Sequence, residues 1–133
     1  MIPPFNDQGY LPAGIHLATW DEVVERFGGP SELRHAQMES VRWLVELVRR
    51  VGVSRLVLNG SFSTDQWEPN DVDCVLLTSP DFPRDRQALE ELDEGLPFLD
   101  LQLVDQPAFE RLTNEMFATD RFGNPKGMVE VQL

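Results

Sequence analysis

The sequence predicts a single α/β domain over residues 1–133, a mixed sheet with helices packed on it. Three observations lead there. A chain of 133 residues is long enough for one hydrophobic core and too short for two. Stretches of helical period alternate with short apolar runs in the order α-α-β-β-α-β-α-β, which excludes an all-helical or an all-β domain. With 41% hydrophobic and 26% charged residues, the composition is that of an ordinary globule.

Residues 1–18 carry Pro3, Pro4, Gly9, Pro12 and Gly14 and no sustained period. They read as an extended arm that packs through Ile2, Phe5, Tyr10 and Ile15 or stays loose. Thr19 followed by Glu22 is a capping-box pattern, with Trp20, Val23, Val24 and Phe27 at helical spacing before Gly28-Gly29-Pro30 ends the helix. Ser31 then caps the longest helix, Glu32 to Val51, whose stripe is Leu33, Val41, Leu44, Val45, Val48 and Val51. Arg49 and Arg50 suit the negative end of its dipole, and Gly52 suits the position just past its end.

Arg55–Asn59 reads as a buried strand running into the turn Gly60-Ser61, and Asp71–Thr78 as a second strand after the turn signal Pro69-Asn70. An acidic helix from about Arg84 to Glu94 follows, then a strand over Phe98–Val104. Pro107 opens a helix bearing Phe109, Leu112 and either Met116 or Phe117. A loop over 120–127 leads to a terminal strand, Met128–Leu133.

Charge is the outlier. The net charge is −12, and Phe62–Asp105 holds 12 acidic residues against Arg84 and Arg86, a net −10. That balance disfavours broad nucleic-acid binding and anionic membrane surfaces. Nothing approaches the ~20 apolar residues of a membrane span, and residues 1–7 lack the character of a signal peptide. One cysteine, Cys74, excludes an internal disulfide framework, so a cytoplasmic location is expected. Cys74 itself reads as a small buried hydrophobe.

The chemistry is concentrated between Leu56 and Leu77. In a strand, residues two apart share a face, so Asp71 and Asp73 project side by side while Cys74 turns away. Two such carboxylates repel unless a cation or a proton intervenes. Oxygen ligands without a nearby His or Cys favour Mg2+ or Mn2+. Gly60-Ser61 offers a turn that a phosphate can approach closely, with a hydroxyl and an amide donor. Asp100, between Leu99 and Leu101, faces the same way as Phe98 and Gln102. It becomes a third carboxylate if its strand lies beside Asp71 and Asp73, able to accept a proton from an attacking hydroxyl.

Gly60-Ser61, nine intervening residues, then Asp71-Val72-Asp73 opening an apolar strand resembles the signature of the polymerase-beta-type nucleotidyltransferase superfamily. The likeness is closest to the minimal nucleotidyltransferases, over about Arg55 to Val104. The resemblance implies a nucleotidyltransferase-like fold and transfer of a nucleoside monophosphate from a nucleoside triphosphate to a hydroxyl on a protein or RNA partner. By the same resemblance Gly60 and Ser61 bind the phosphates, Asp71, Asp73 and Asp100 hold magnesium or manganese and serve catalysis, and the protein works in a toxin–antitoxin or defence pair. The alternative is a catalytically inactive, antitoxin-like module that keeps the fold and binds a partner.

One departure shapes the expected site. The family commonly places a basic residue just after Gly-Ser, whereas Phe62–Glu68 here carries none. Lys126, the chain's only lysine, is expected to fold back to the phosphates on its glycine-flanked loop, with Arg121 nearby. The acidic helix, with Glu90, Glu91, Asp93 and Glu94, reads as a solvated face or a docking surface for a basic protein partner. Trp67 reads as packing on its own domain, His16 and His35 have no partner pattern, and Ser61 lacks the surroundings of a hydrolase nucleophile.

Overall fold

A buried arginine sets the architecture as much as the apolar core does. The computed structural model describes all 133 residues. Strand β1 (Ile15–Ala18) leads into helix α1 (Trp20–Phe27), where Thr19 and Glu22 form the expected capping box. Helix α2 (Glu32–Val51) begins at Ser31, whose hydroxyl accepts from the Arg34 amide, and ends at Gly52 in the left-handed region at φ 100°. Strand β2 (Val53–Asn59) runs into a 3-10 turn (Gly60–Ser63), and β3 (Val72–Thr78) follows the loop. The remainder is α3 (Arg86–Glu94), β4 (Leu99–Val104), α4 (Gln106–Arg111) with a π-helical continuation over Leu112–Met116, and β5 (Met128–Val131).

The five strands form one mixed sheet in the order β1-β5-β2-β3-β4. Pairs β1–β5 and β3–β4 are parallel; β5–β2 and β2–β3 are antiparallel. The α/β expectation therefore holds, with one element added. Residues 15–18 are the sheet's edge strand rather than part of an arm, with Ile15 opposite Met128 and Ala18 opposite Val131. Four residues are too few to show a strand period, and their pairing with the far end of the chain leaves no local signal.

The two faces of the sheet are covered unequally. Helices α1, α2 and α3 cover one face, where Leu44, Val48, Leu56, Leu58, Cys74, Leu76 and Val129 belong to a core of 24 residues. The other face carries a cluster of six, Val57, Val75, Leu77, Phe109, Leu112 and Met128, under α4 and its continuation. Arg55 braces this second face. It holds Glu130 through two hydrogen bonds of 2.6 and 3.1 Å, and its guanidinium stands 4.7 Å from the Phe109 ring centroid. Met116 is not a packing residue: it is 67% exposed while Phe117 is half-buried, because the π turn shifts the register of the helix face.

On α2 the buried face continues toward its N-terminus through Gln37 and Arg34, where the stripe read from apolar residues alone placed Leu33. Arg34 is 5% exposed and donates five hydrogen bonds to four carbonyls: Phe27 (3.0 Å), Phe62 (3.1 Å), Thr64 (3.0 Å) and Gln66 (2.6 and 3.1 Å). Gln37 adds a 2.6 Å bond to the Pro69 carbonyl. Those carbonyls belong mostly to the loop between β2 and β3, so this helix end fixes the loop's path.

Arg34→Met keeps the aliphatic stem and removes every donor, leaving buried carbonyls without partners. Its unfolding free energy in urea is expected to fall by roughly 3–5 kcal/mol. A loss below ~1 kcal/mol would show that the loop does not depend on the guanidinium.

Candidate functional site

Strand pairing brings two of the three aspartates together. Asp73 on β3 lies directly across from Asp100 on β4, and on its other side Asp73 pairs with Asn59 at the end of β2. Cross-strand partners share a face, so Asn59, Asp73 and Asp100 form one polar row. The next row, Leu58, Cys74 and Leu101, points into the opposite face, where Cys74 is fully buried. Burial and the charges of Asp73, Asp100 and Asp71 hold its thiol pKa far above the ordinary range. Cys74 is thus the expected buried hydrophobe. Asp71 sits one residue before β3 begins and is exposed; it contributes charge to Asp73 from outside the strand.

Gly60 stands between the turn and the carboxylates. Its φ of 77° lies in the left-handed region, and a Cβ there would run into the Asp73 carboxylate oxygen Oδ2. Glycine is therefore required twice over, for the turn and for the close approach. Ser61, half-buried, follows it, and its carbonyl accepts 2.6 Å and 3.2 Å bonds from the Thr64 hydroxyl and amide. The loop beyond is anchored to the N-terminal segment by the Asp65 amide on the Gly9 carbonyl at 3.0 Å.

Lys126 lies near enough for its charge to act on Asp73, without forming an ion pair with it. The Lys126 amide bonds the Ala118 carbonyl at 2.8 Å and the Gly127 amide bonds the Leu11 carbonyl at 3.0 Å, which holds this loop against the start of the chain. The ammonium lies 5.4 Å from the Tyr10 ring centroid. Its pKa is lowered by burial, while the charges of Asp73 and Asp120 oppose that shift. Asp120 organises the loop: its carboxylate accepts from the amides of Phe122 (2.8 Å) and Asn124 (2.9 Å), the Asn124 side chain (3.0 Å) and the Tyr10 hydroxyl (2.9 Å). Those bonds, led by the Asn124 side chain, hold its pKa down to about 2. Arg121, by contrast, is exposed.

Asp73 shows the cost of the arrangement. Its carboxyl is pushed up to about 6, by burial first, then by the charges of Asp71 and Asp100, with a hydrogen bond shared with Asp100 adding to the shift and Lys126 pulling against it. An all-oxygen donor set of this kind suits a hard divalent cation. Yet no three His, Cys, Asp or Glu side chains are grouped as a metal site as they stand. Strand register brings Asp73 and Asp100 together, and Asp71, just outside β3, exerts the larger charge effect on Asp73.

A family model described as a family of unknown function, DUF6932, matches residues 3–132. The chain belongs to that family. No curated protein and no solved structure matches it. In this DUF6932 member the match runs from the N-terminal segment through the Lys126 loop, the two parts that meet at Tyr10, Leu11 and Gly127.

Three contributors were not visible as site residues from sequence: Asn59, Tyr10 and Asp120. Asn59 had a signal, a lone polar residue closing the apolar run Leu56-Val57-Leu58. Tyr10 and Asp120 are 110 residues apart and meet only through the fold.

The folded protein keeps a proton on Asp73 between pH 3.8 and about 6 that the unfolded chain has released. Stability linked to this group is therefore full below pH 3.8, falls as pH rises to about 6, and is level above that. For a half-exposed carboxyl the loss is about 1–2 kcal/mol after solvent screening. Metal-free Asp73→Asn is expected to show a smaller decline in melting temperature between pH 4 and pH 7 than wild type; parallel curves would contradict this. Gly60→Ala forces Asp73 aside and is expected to cost roughly 1–3 kcal/mol in denaturant unfolding, more than a surface glycine substitution.

Proposed function

We propose that this protein is a metal-dependent nucleotidyltransferase that moves a nucleoside monophosphate from a nucleoside triphosphate to a hydroxyl of a protein or RNA partner. The observation that carries this reading is the in-register convergence of Asp73 and Asp100 beside the Gly60-Ser61 turn, with the charge of Lys126 acting on Asp73. Asp71, Asp73 and Asp100 would hold magnesium or manganese, which when bound neutralises the triphosphate.

The chain's own groups supply the rest. Backbone amides and the hydroxyl at Gly60-Ser61 receive phosphate oxygens, and the Lys126 ammonium adds the positive charge that Phe62–Glu68 lacks. Asp100, exposed on an edge strand, takes the proton of the acceptor hydroxyl. The acceptor oxygen then bonds to the α-phosphorus, the bond from that phosphorus to the bridging oxygen breaks, and pyrophosphate leaves with the electron pair. A net charge of −12 favours a basic protein over RNA as acceptor. The single cysteine supports a reducing, cytoplasmic setting, and the resemblance to minimal nucleotidyltransferases supports a toxin–antitoxin or defence pair.

A second reading, a non-catalytic partner-binding module of the same fold, is favoured by one observation. The loop after Gly60-Ser61 carries no base of its own, and Arg34, which reaches it, is consumed by carbonyls.

Titration calorimetry with each of the four nucleoside triphosphates and Mg2+ separates the two. Nucleotidyl transfer requires Mg2+-dependent binding that weakens at least 100-fold in Asp73→Asn and about 10-fold in Lys126→Ala, with circular dichroism unchanged. A wild-type protein that binds none of the four supports the module instead.

A further inference from the structure

Asn59 is 1% exposed, and both its side-chain oxygen and its nitrogen lack any hydrogen-bond partner. A buried amide in that state costs on the order of 1–3 kcal/mol per group, so a folded protein rarely leaves one without a task. The other orphaned side-chain atom in the protein is Gln37 Oε1, whose nitrogen is engaged with the Pro69 carbonyl; only Asn59 has neither end satisfied.

Its position says what the task is. Asn59 is the cross-strand partner of Asp73, which is in turn the partner of Asp100, so the amide stands on the same face and in the same row as the two converging carboxylates. Its neighbours along β2, Leu58 and Val57, go to the apolar clusters on the two faces. The row thus offers two carboxylates and one neutral carbonyl oxygen, the kind of mixed oxygen set that hard divalent cations accept. The amide oxygen adds a donor from a third strand, β2, to the carboxylates that β3 and β4 bring into register. Either orientation of the amide leaves an oxygen on this carbon.

We infer that the Asn59 side-chain oxygen is a further ligand, beside the carboxylates of Asp71, Asp73 and Asp100, for the divalent cation of this site. The inference rests on the metal-dependent reading above and goes beyond it by assigning the cation a donor from β2. It also gives the orphaned Asn59 oxygen its missing interaction and ties the Gly60 turn to cation occupancy, since Asn59 immediately precedes that turn.

The test is Mn2+ titration by calorimetry on wild type, Asn59→Leu, Asn59→Asp and Asp73→Asn, all without nucleotide. Asn59→Leu is expected to weaken Mn2+ about 10–100-fold while leaving the metal-free melting temperature equal or higher, because it swaps an unsatisfied amide for an apolar group of similar size. Asn59→Asp retains an oxygen and is expected to bind Mn2+ at least as tightly as wild type; this variant also decides the matter if Asn59→Leu does not fold. Wild-type affinity in Asn59→Leu, or loss of binding in a folded Asn59→Asp, overturns the assignment of Asn59 alone, provided Asp73→Asn still abolishes binding. If wild type itself takes up no Mn2+, the metal-dependent reading falls together with it.

Discussion

The arrangement depends on one guanidinium. The loop between β2 and β3 must carry the chain from Gly60 back to Asp71 across the end of the sheet, and it does so with few regular backbone bonds of its own. Arg34 satisfies carbonyls at Phe62, Thr64 and Gln66 at once and ties the end of α1 at Phe27 to the same point. Its ring contact with Phe62, 5.2 Å to the centroid, adds a stacking component. A lysine could not do this: five donors in a fixed plane are needed to reach four carbonyls. Burial lowers the Arg34 pKa, and the only charge opposing that shift is Asp65, so carbonyl dipoles do most of the work an acidic partner would otherwise do.

With the loop held, the end of the sheet becomes a place of unresolved charge. Asp73 is half-buried between a neutral amide and a second carboxylate, and Gly60 presses against it from the turn. Lys126 offsets part of the repulsion, held by a loop that Asp120 has organised into a compact turn. The acidic block therefore has two physical characters. Asp73 and Asp100 are forced together by strand register. On α3, Glu90, Asp93 and Glu94 are exposed, while Glu91 and the capping Asp85 meet Arg50 at 3.6 and 3.1 Å. Exposed pairs like these contribute little to stability and leave the helix face free for a partner.

Much of this was legible residue by residue. Thr19 and Glu22, Ser31 and Gly52 announce their helix ends because capping is a local hydrogen-bonding requirement. Cys74 turned away from Asp73 because strand alternation allows nothing else. Arg34 and Gln37 were legible in hindsight: Val51, Val48, Leu44 and Val41, continued backward at the same spacing, land on Gln37 and then Arg34. Reading only apolar residues hid them, since an arginine at a core position is usually a reason to end a stripe. β1 and the Tyr10–Asp120 bond had no comparable signal, because each pairs the first residues of the chain with the last.

The sequence by itself determined the α/β class, the helix ends, the glycine turn followed by an acidic strand entry, and the alternation that puts Asp73 and Cys74 on opposite faces. All of these follow from interactions between residues close in the chain. Only the tertiary structure decided that β3 and β4 run parallel with Asp73 opposite Asp100, that Asp71 stays outside the strand, that Asn59 is sealed without a partner, and that the charge of Lys126 acts on Asp73. Those outcomes depend on strand register and loop closure, whose energies are set by contacts between segments far apart in sequence.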